Sequence, residues 1–92
     1  MVHPHQHCID LCNRALEAVH STIPDDLYRD IFDYINERNE WGLGMEILID
    51  QISEYEIKIS LQQFEAIEKA MTSMEMSNNN RMQYLRKHDV VA

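Results

Sequence analysis

The sequence predicts an all-α fold, a small bundle of four helices followed by a short C-terminal tail. Only two glycines and two prolines occur among 92 residues, fewer than the regular turns of an all-β protein need. Helix-forming Glu, Leu, Ile, Met, Gln and Ala are frequent, and apolar residues recur every three to four positions. The length suits one helical domain over 1–76 and a tail over 77–92, where Met82 and Leu85 favour a short docked helix.

The first two predicted helices each combine an apolar face with a polar one. The first runs from about Cys8 to Val19, with its apolar residues on one side. Pro24 suits the first position of a second helix, which runs to about Glu37. Opposite the apolar face of the second helix, a one-sign stripe recurs at steps of four, three and four: Asp26, Asp30, Asp33 and Glu37.

The third predicted helix is the most apolar and runs from about Glu40 to Tyr55, with Asn39 as its expected N-cap. Its apolar residues occupy two sides, so we expect neighbours on both. Its two glycines indicate a close approach by a neighbouring backbone, since glycine lowers helix propensity. A second acidic row remains for solvent: Glu46, Asp50 and Glu54.

A paired capping signal marks the start of the fourth predicted helix, which runs to about Glu75. Ser60 and Gln63 match a capping box, and Ile59 with Phe64 matches a hydrophobic staple. The preceding segment, 56–59, has a locally β-like pattern. One strand forms no sheet alone, so we expect its isoleucines to fill the bundle core.

The net charge of the chain disfavours some classes of partner. A formal charge of −8, from 16 acidic and 8 basic residues, disfavours nucleic acid and anionic membranes as partners. The negative charge is equally consistent with a basic protein partner and with a role in keeping the protein soluble. No apolar run reaches 18 residues, and the first residues lack a basic region followed by an apolar one, so we expect neither a membrane span nor a secretory signal. Cys8 and Cys12 lie four residues apart, a poor geometry for a disulfide, so reduced thiols and a cytoplasmic location are expected.

Catalytic and metal-binding patterns are weak. No serine has the glycine context of a nucleophile elbow, and two glycines cannot build a phosphate-binding loop. We therefore expect neither an enzyme nor a cofactor. Weak metal-ligand candidates lie at the N-terminus, but structural zinc sites usually draw ligands from two segments, so a polar N-terminus is favoured there. These candidates are His3, His5, His7 and Cys8.

The better candidates are partner-binding residues on the second and third helices. Solvent exposure alone explains many acidic stripes, but alternating Lys or Arg would be expected if helix stability were the purpose. Trp41 and Tyr55, at the two ends of the third helix, are each either a core residue or an aromatic anchor at an interface. The candidate partner-binding residues are Asp26, Asp30, Asp33, Glu37, Glu46, Asp50, Glu54 and Trp41.

Three stretches carry a family resemblance. Residues 23–27 form a proline-acidic helix start, 39–46 contain an E-W-G-L helix start, and 57–60 form an I-x-I-S entry into the last helix. An acidic, aromatic stretch at 50–56 lies between the second and third of these. In these features the chain resembles the MafI-type immunity proteins and is similar to some immunity proteins of bacterial contact-dependent growth inhibition systems. The resemblance covers about 23–76, and Gly44 stands where the family pattern has alanine.

The resemblance implies a protein made beside a toxin, whose toxic domain it binds and blocks inside the producing cell. Such domains are frequently nucleases with basic substrate-binding surfaces, which fits the charge of −8. The expected function is therefore an immunity protein that neutralises a cognate toxin domain by occlusion. A regulatory adaptor or a homodimeric interaction module is the alternative, and a small metal-binding protein is a third possibility.

Overall fold

The computed structural model of the chain describes residues 5–76 and 79–91. Within them the chain is mostly helical, which confirms the all-α prediction, but it has five helices instead of four. The fifth helix lies within the predicted tail, where Met82 and Leu85 indicated a short docked helix. The elements are α1 (Gln6–Val19), α2 (Asp25–Asn36), α3 (Trp41–Glu54), β1 (Ile59–Ser60), α4 (Leu61–Ser73), α5 (Asn80–His88) and β2 (Val90–Val91).

Four of the helices pack as two pairs, and the fifth helix lies beside them. α1 packs against α4, α2 packs against α3, and α5 lies along α3. Reciprocal amide hydrogen bonds of 3.0 and 2.9 Å between Asn13 and Asn36 join α1 to α2. Met82 and Leu85 anchor α5 in the same core as the other helices. The largest fully buried side chains are Leu16, Ile31, Ile35, Met45, Leu48, Ile49, Ile52, Ile59, Ile67, Met71, Leu85 and Val19.

The capping box that the sequence predicts at the start of α4 is present. The Ser60 hydroxyl accepts from the Gln63 backbone N–H at 3.1 Å, and the Gln63 side chain accepts from the Ser60 N–H at 2.8 Å. The Gln63 amide also donates to the Ala18 carbonyl and the Thr22 hydroxyl, each at 2.9 Å. One residue therefore caps its own helix and fixes it to the end of α1.

The turn between α2 and α3 differs from the prediction at Asn39. This residue has a positive φ of 54° and lies outside α3, whose N-cap is Glu40 without a side-chain cap. The turn is closed by the Glu40 N–H donating to the Tyr34 carbonyl at 2.8 Å. Asparagine adopts the left-handed region more readily than most residues, so Asn39 permits the reversal and does not cap the helix.

Only one of the two α3 glycines meets a crowded neighbour. A Cβ on Gly44 would lie 2.9 Å from the Tyr34 Cβ, closer than carbon atoms pack. A Cβ on Gly42 would lie 3.8 Å from the sulfur atoms of Met74 and Met76, an ordinary contact. The close approach expected near the glycines is thus confirmed at Gly44, where α3 meets α2.

The segment after α3 does more than fill the core. Ile59 is buried, as expected, and it also pairs in parallel with Val90, while its N–H donates to the Asp89 carbonyl at 2.9 Å. The second strand comes from the chain end, which the local pattern around 56–59 did not indicate. This short pairing fixes the end of α5 beside the start of α4.

Asp89 is a buried carboxylate at the C-cap of α5. Its residue is 1% exposed, and its Oδ2 atom has no hydrogen-bond partner within residues 5–76 and 79–91. Burial raises the pKa of this carboxyl above its ordinary value of 3.8, although Lys58, Ser53 and His88 act in the opposite direction. A negative charge at a helix C-terminus is also unfavourable. Burial and the helix C-terminus therefore both disfavour the charged form of Asp89 relative to an exposed aspartate.

The two glycines provide a matched pair of substitutions. We expect Gly44→Ala to lower the free energy of unfolding by about 1 to 3 kcal/mol, because α2 and α3 must separate slightly. We expect Gly42→Ala to leave it unchanged or raise it by up to about 1 kcal/mol, through helix propensity. Urea denaturation of both variants measures this difference. Equal effects at the two positions would contradict the close approach at Gly44.

The buried carboxylate predicts a specific pH dependence. Because the pKa of Asp89 is higher in the folded state, its contribution opposes folding once the pH exceeds the ordinary value of 3.8. We expect Asp89→Asn to be more stable than the native chain at pH 7, and this advantage to disappear as the pH falls below that value. Urea denaturation across this range measures it, with Asp30→Asn as the control for losing one exposed acidic charge. A constant difference at all pH values would contradict the prediction.

Candidate functional site

The net charge of the chain is confined to one part of the fold. Residues 25–56, which we call the α2–α3 hairpin, contain ten acidic and two basic residues. The rest of the chain contains six of each. The formal charge of −8 therefore arises entirely from the hairpin, whose charged residues are predominantly acidic.

The acidic stripe of α2 is exposed for most of its length. Asp26, Asp30 and Glu37 are exposed, and Asp33 is paired with the Arg38 Nε at 2.7 Å. The Asp26 Oδ1 accepts the backbone N–H of Leu27 at 2.9 Å, within the first helical turn. Asp26, Asp30 and Glu37 have no ion pair with any residue that the structure describes. Three of the four predicted carboxylates are thus available to an external cation.

The acidic row of α3 is partly neutralised from within the molecule. Arg81 of α5 contacts both Glu46, at 2.7 Å from Nη1, and Asp50, at 2.9 Å from Nε. One guanidinium therefore bridges two carboxylates that lie one helical turn apart. Glu54 is exposed and has no ion pair among residues 5–76 and 79–91. The sequence could not indicate this bridge, because Arg81 lies 31 and 35 residues away from its two partners.

A cleft lies between α2 and α3. Apolar side chains line it, but Asp26 and Asp30 also form part of its wall, so we call it the acidic cleft. Its volume is about 330 Å³. The apolar side chains include Leu27 and Ile47, both half-buried, and Tyr55, which is 68% exposed. The complete lining is Pro24, Asp26, Leu27, Asp30, Ile47, Gln51 and Tyr55.

The aromatic residue most exposed at the hairpin is Tyr55, whereas the sequence singled out Trp41. Trp41 is half-buried against the core, with its ring 5.2 Å from that of His5. Tyr55 follows the last turn of α3, about 21 Å further along the helix axis. Tyr55 is the C-cap of α3, and its 68% exposure fits an interface anchor better than a core residue.

The N-terminal metal-ligand candidates do not form a group in the described residues. His3 lies outside these residues, while His5 and His7 are exposed. The Cys8 thiol donates to the Ser73 carbonyl at 3.3 Å. Cys12 is fully buried, and burial raises the pKa of its thiol to about 12, which disfavours the thiolate. Across 5–76 and 79–91, no three His, Cys, Asp or Glu side chains are placed to hold one metal ion.

A second surface feature lies on the opposite side of α2, against α1. The His20 ring stacks on Tyr28 at 3.7 Å between centroids, and the Tyr28 hydroxyl donates to the Glu17 carboxylate. Phe32, which is 42% exposed, continues this aromatic row. The polar groups of this row are satisfied by one another, so it offers fewer unpaired charges than the acidic cleft.

Comparison of the chain with protein-family models, with characterised proteins and with solved structures finds no match. In the portion of the chain that the structure describes, no helix combines the length and the hydropathy needed to span a membrane. The candidate site therefore rests on the geometry and the charge of the hairpin surface.

The Arg81 bridge predicts a salt-sensitive stabilisation. Its guanidinium and both carboxylates are partly exposed, so we expect Arg81→Gln to lower the free energy of unfolding only slightly. The loss should shrink at high salt, because mobile ions screen partly exposed pairs. Thermal unfolding at low and high ionic strength measures it, with Lys87→Gln as the charge-matched control. An equal loss in both variants would argue against the bridge.

Proposed function

We propose that this chain is an immunity protein that binds a cognate bacterial toxin domain and neutralises it by occlusion. The proposed partner is a basic toxin domain, of the nuclease class, and the α2–α3 hairpin is the proposed contact surface. The observation that carries this proposal is the confinement of the whole charge of −8 to that hairpin. The resemblance of 23–76 to immunity proteins supports the same partner class independently of the charge map.

Occlusion requires only binding, and the hairpin surface is suited to it. A nuclease must attract a polyanion, so its substrate-binding surface carries Lys and Arg. Asp26, Asp30 and Glu37 present carboxylates that compete for those same cations. Opposite charges accelerate encounter, and burial of apolar groups such as Tyr55 slows dissociation. The inhibitor thereby occupies the surface that the toxin uses for its substrate.

Homodimerisation through the same surface is the less favoured function. Two copies docked by their hairpins would bring together surfaces that each carry the full charge of −8. Like charges across an interface disfavour association. A hairpin-to-hairpin dimer therefore fits the charge distribution less well than a basic partner does.

The test is rescue from the toxic domain encoded next to this chain. We expect co-expression to restore growth, and the purified pair to bind with an affinity that falls as the salt concentration rises. Isothermal titration calorimetry at low and high salt measures that affinity. Absence of both rescue and binding would contradict the proposal for that toxin.

Two variants with equal net charge separate the hairpin from a general charge effect. The hairpin variant carries Asp26→Asn, Asp30→Asn, Glu37→Gln and Glu54→Gln. The control variant carries four neutralised carboxylates outside the hairpin: Asp10→Asn, Glu65→Gln, Glu68→Gln and Glu75→Gln. We expect the hairpin variant to lose at least about tenfold in affinity and the control to lose much less. Equal losses would show that only the total charge matters.

A further inference from the structure

We infer that the acidic cleft receives an amphipathic helix of the partner, with an arginine that bridges Asp26 and Asp30 and an apolar side chain that packs against Leu27, Ile47 and Tyr55. This inference deepens the proposed function and rests on it for the identity of the partner alone. Its chemical content, a basic amphipathic helix in the groove between α2 and α3, follows from the geometry of the hairpin.

The bridge made by Arg81 shows which group such carboxylate pairs accept. On α3, Glu46 and Asp50 lie four residues apart and are joined by one guanidinium at 2.7 and 2.9 Å. On α2, Asp26 and Asp30 have the same four-residue spacing on an exposed helix face. Arginine suits this geometry because its planar fork of donors reaches two acceptors at once, whereas lysine presents a point charge. The α2 pair has no such cation among the residues that the structure describes.

The apolar part of the cleft indicates that the partner segment is amphipathic and not simply basic. Leu27 and Ile47 remain half-buried at the seam between the two helices, and Tyr55 extends beside them with 68% exposure. Leu43 lies one turn from Ile47 along α3 and is 46% exposed. A purely ionic partner would leave this surface in water. An apolar side chain flanked by basic ones would bury it while pairing the carboxylates.

The shape of the hairpin surface favours a helix as the occupant. Two adjacent helices leave a groove along their seam, and a third helix packs into such a groove in ordinary helix bundles. α2 has 12 residues and α3 has 14, so the seam is about 18 to 21 Å long. A helix of about three to four turns covers that length. Its apolar positions at i, i+3, i+4 and i+7 would follow the seam, with basic residues on either side.

The test uses synthetic peptides and does not require the toxin. The probe is a capped, alanine-based helical peptide of about 14 residues, with leucines along one face and arginines flanking them. The control peptide has every arginine replaced by glutamine. Fluorescence anisotropy measures affinity, and ¹H–¹⁵N spectra of the full chain locate the contact. We expect the arginine peptide to bind at least about tenfold more tightly and to shift the amides of 24–30 and 47–55.

Variants of the chain separate the two parts of the inferred contact. The double variant Asp26→Asn with Asp30→Asn should bind the arginine peptide about tenfold more weakly. The control double variant Glu65→Gln with Glu75→Gln should change that affinity by less than about twofold. The Tyr55→Ala variant should bind both the arginine and the glutamine peptide more weakly, because the substitution removes apolar contact area and leaves the charge unchanged. Because all these side chains are exposed, circular dichroism should report native helix content in each variant.

Four outcomes would overturn the inference. Amide shifts confined to α1, α4 or α5 would place the contact elsewhere, and equal binding by both double variants would remove the role of the α2 pair. A dimer of the chain alone that Tyr55→Ala abolishes would assign the cleft to a second copy. Failure of the proposed function is separable, because peptide binding in the cleft without growth rescue would contradict the immunity role alone. Rescue that is insensitive to Asp26→Asn with Asp30→Asn would contradict this inference alone.

Discussion

The close contact between α2 and α3 at Gly44 is the constraint on which the acidic surface depends. A side chain at this position would meet Tyr34 at 2.9 Å, so only glycine allows the two helices to approach this closely. The approach places two helices of the same charge sign side by side, against their mutual repulsion. The apolar residues beneath them, including Ile31, Ile35 and Met45, provide the burial that offsets this repulsion. Burial of these core residues therefore allows the two acidic helices to lie side by side.

The end of the chain completes the fold and also limits the acidic surface. α5 is fixed to the core by Met82 and Leu85, and its Arg81 neutralises the middle of the acidic row on α3. The pairing of Ile59 with Val90 then closes α5 over the start of α4. As a result, Glu46 and Asp50 on α3 are neutralised, whereas Asp26 and Asp30 on α2 have no ion pair among the described residues. The acidic cleft is defined as much by the location of this one arginine as by the carboxylates themselves.

Local sequence patterns predicted the structural features that depend on residues close together in the chain. Helix faces, the capping box at Ser60 and the exposed acidic stripe of α2 all arise from spacings of three or four residues. Contacts between distant segments were beyond such patterns. The Arg81 bridge and the partner strand of Ile59 each join segments at least 30 residues apart. Asn39 was assigned to the wrong role because its left-handed backbone depends on the direction of the turn.

Charge is distributed unevenly within this small fold. The hairpin contains ten acidic and two basic residues, while the remainder is balanced with six of each. In the field of a cationic surface, such a molecule experiences a torque as well as an attraction, and it rotates before contact is made. Diffusing proteins spend most encounters in unproductive orientations, which is why typical association is far slower than collision. An oriented approach shortens that search, so a cationic partner would meet the hairpin before the other surfaces of the fold.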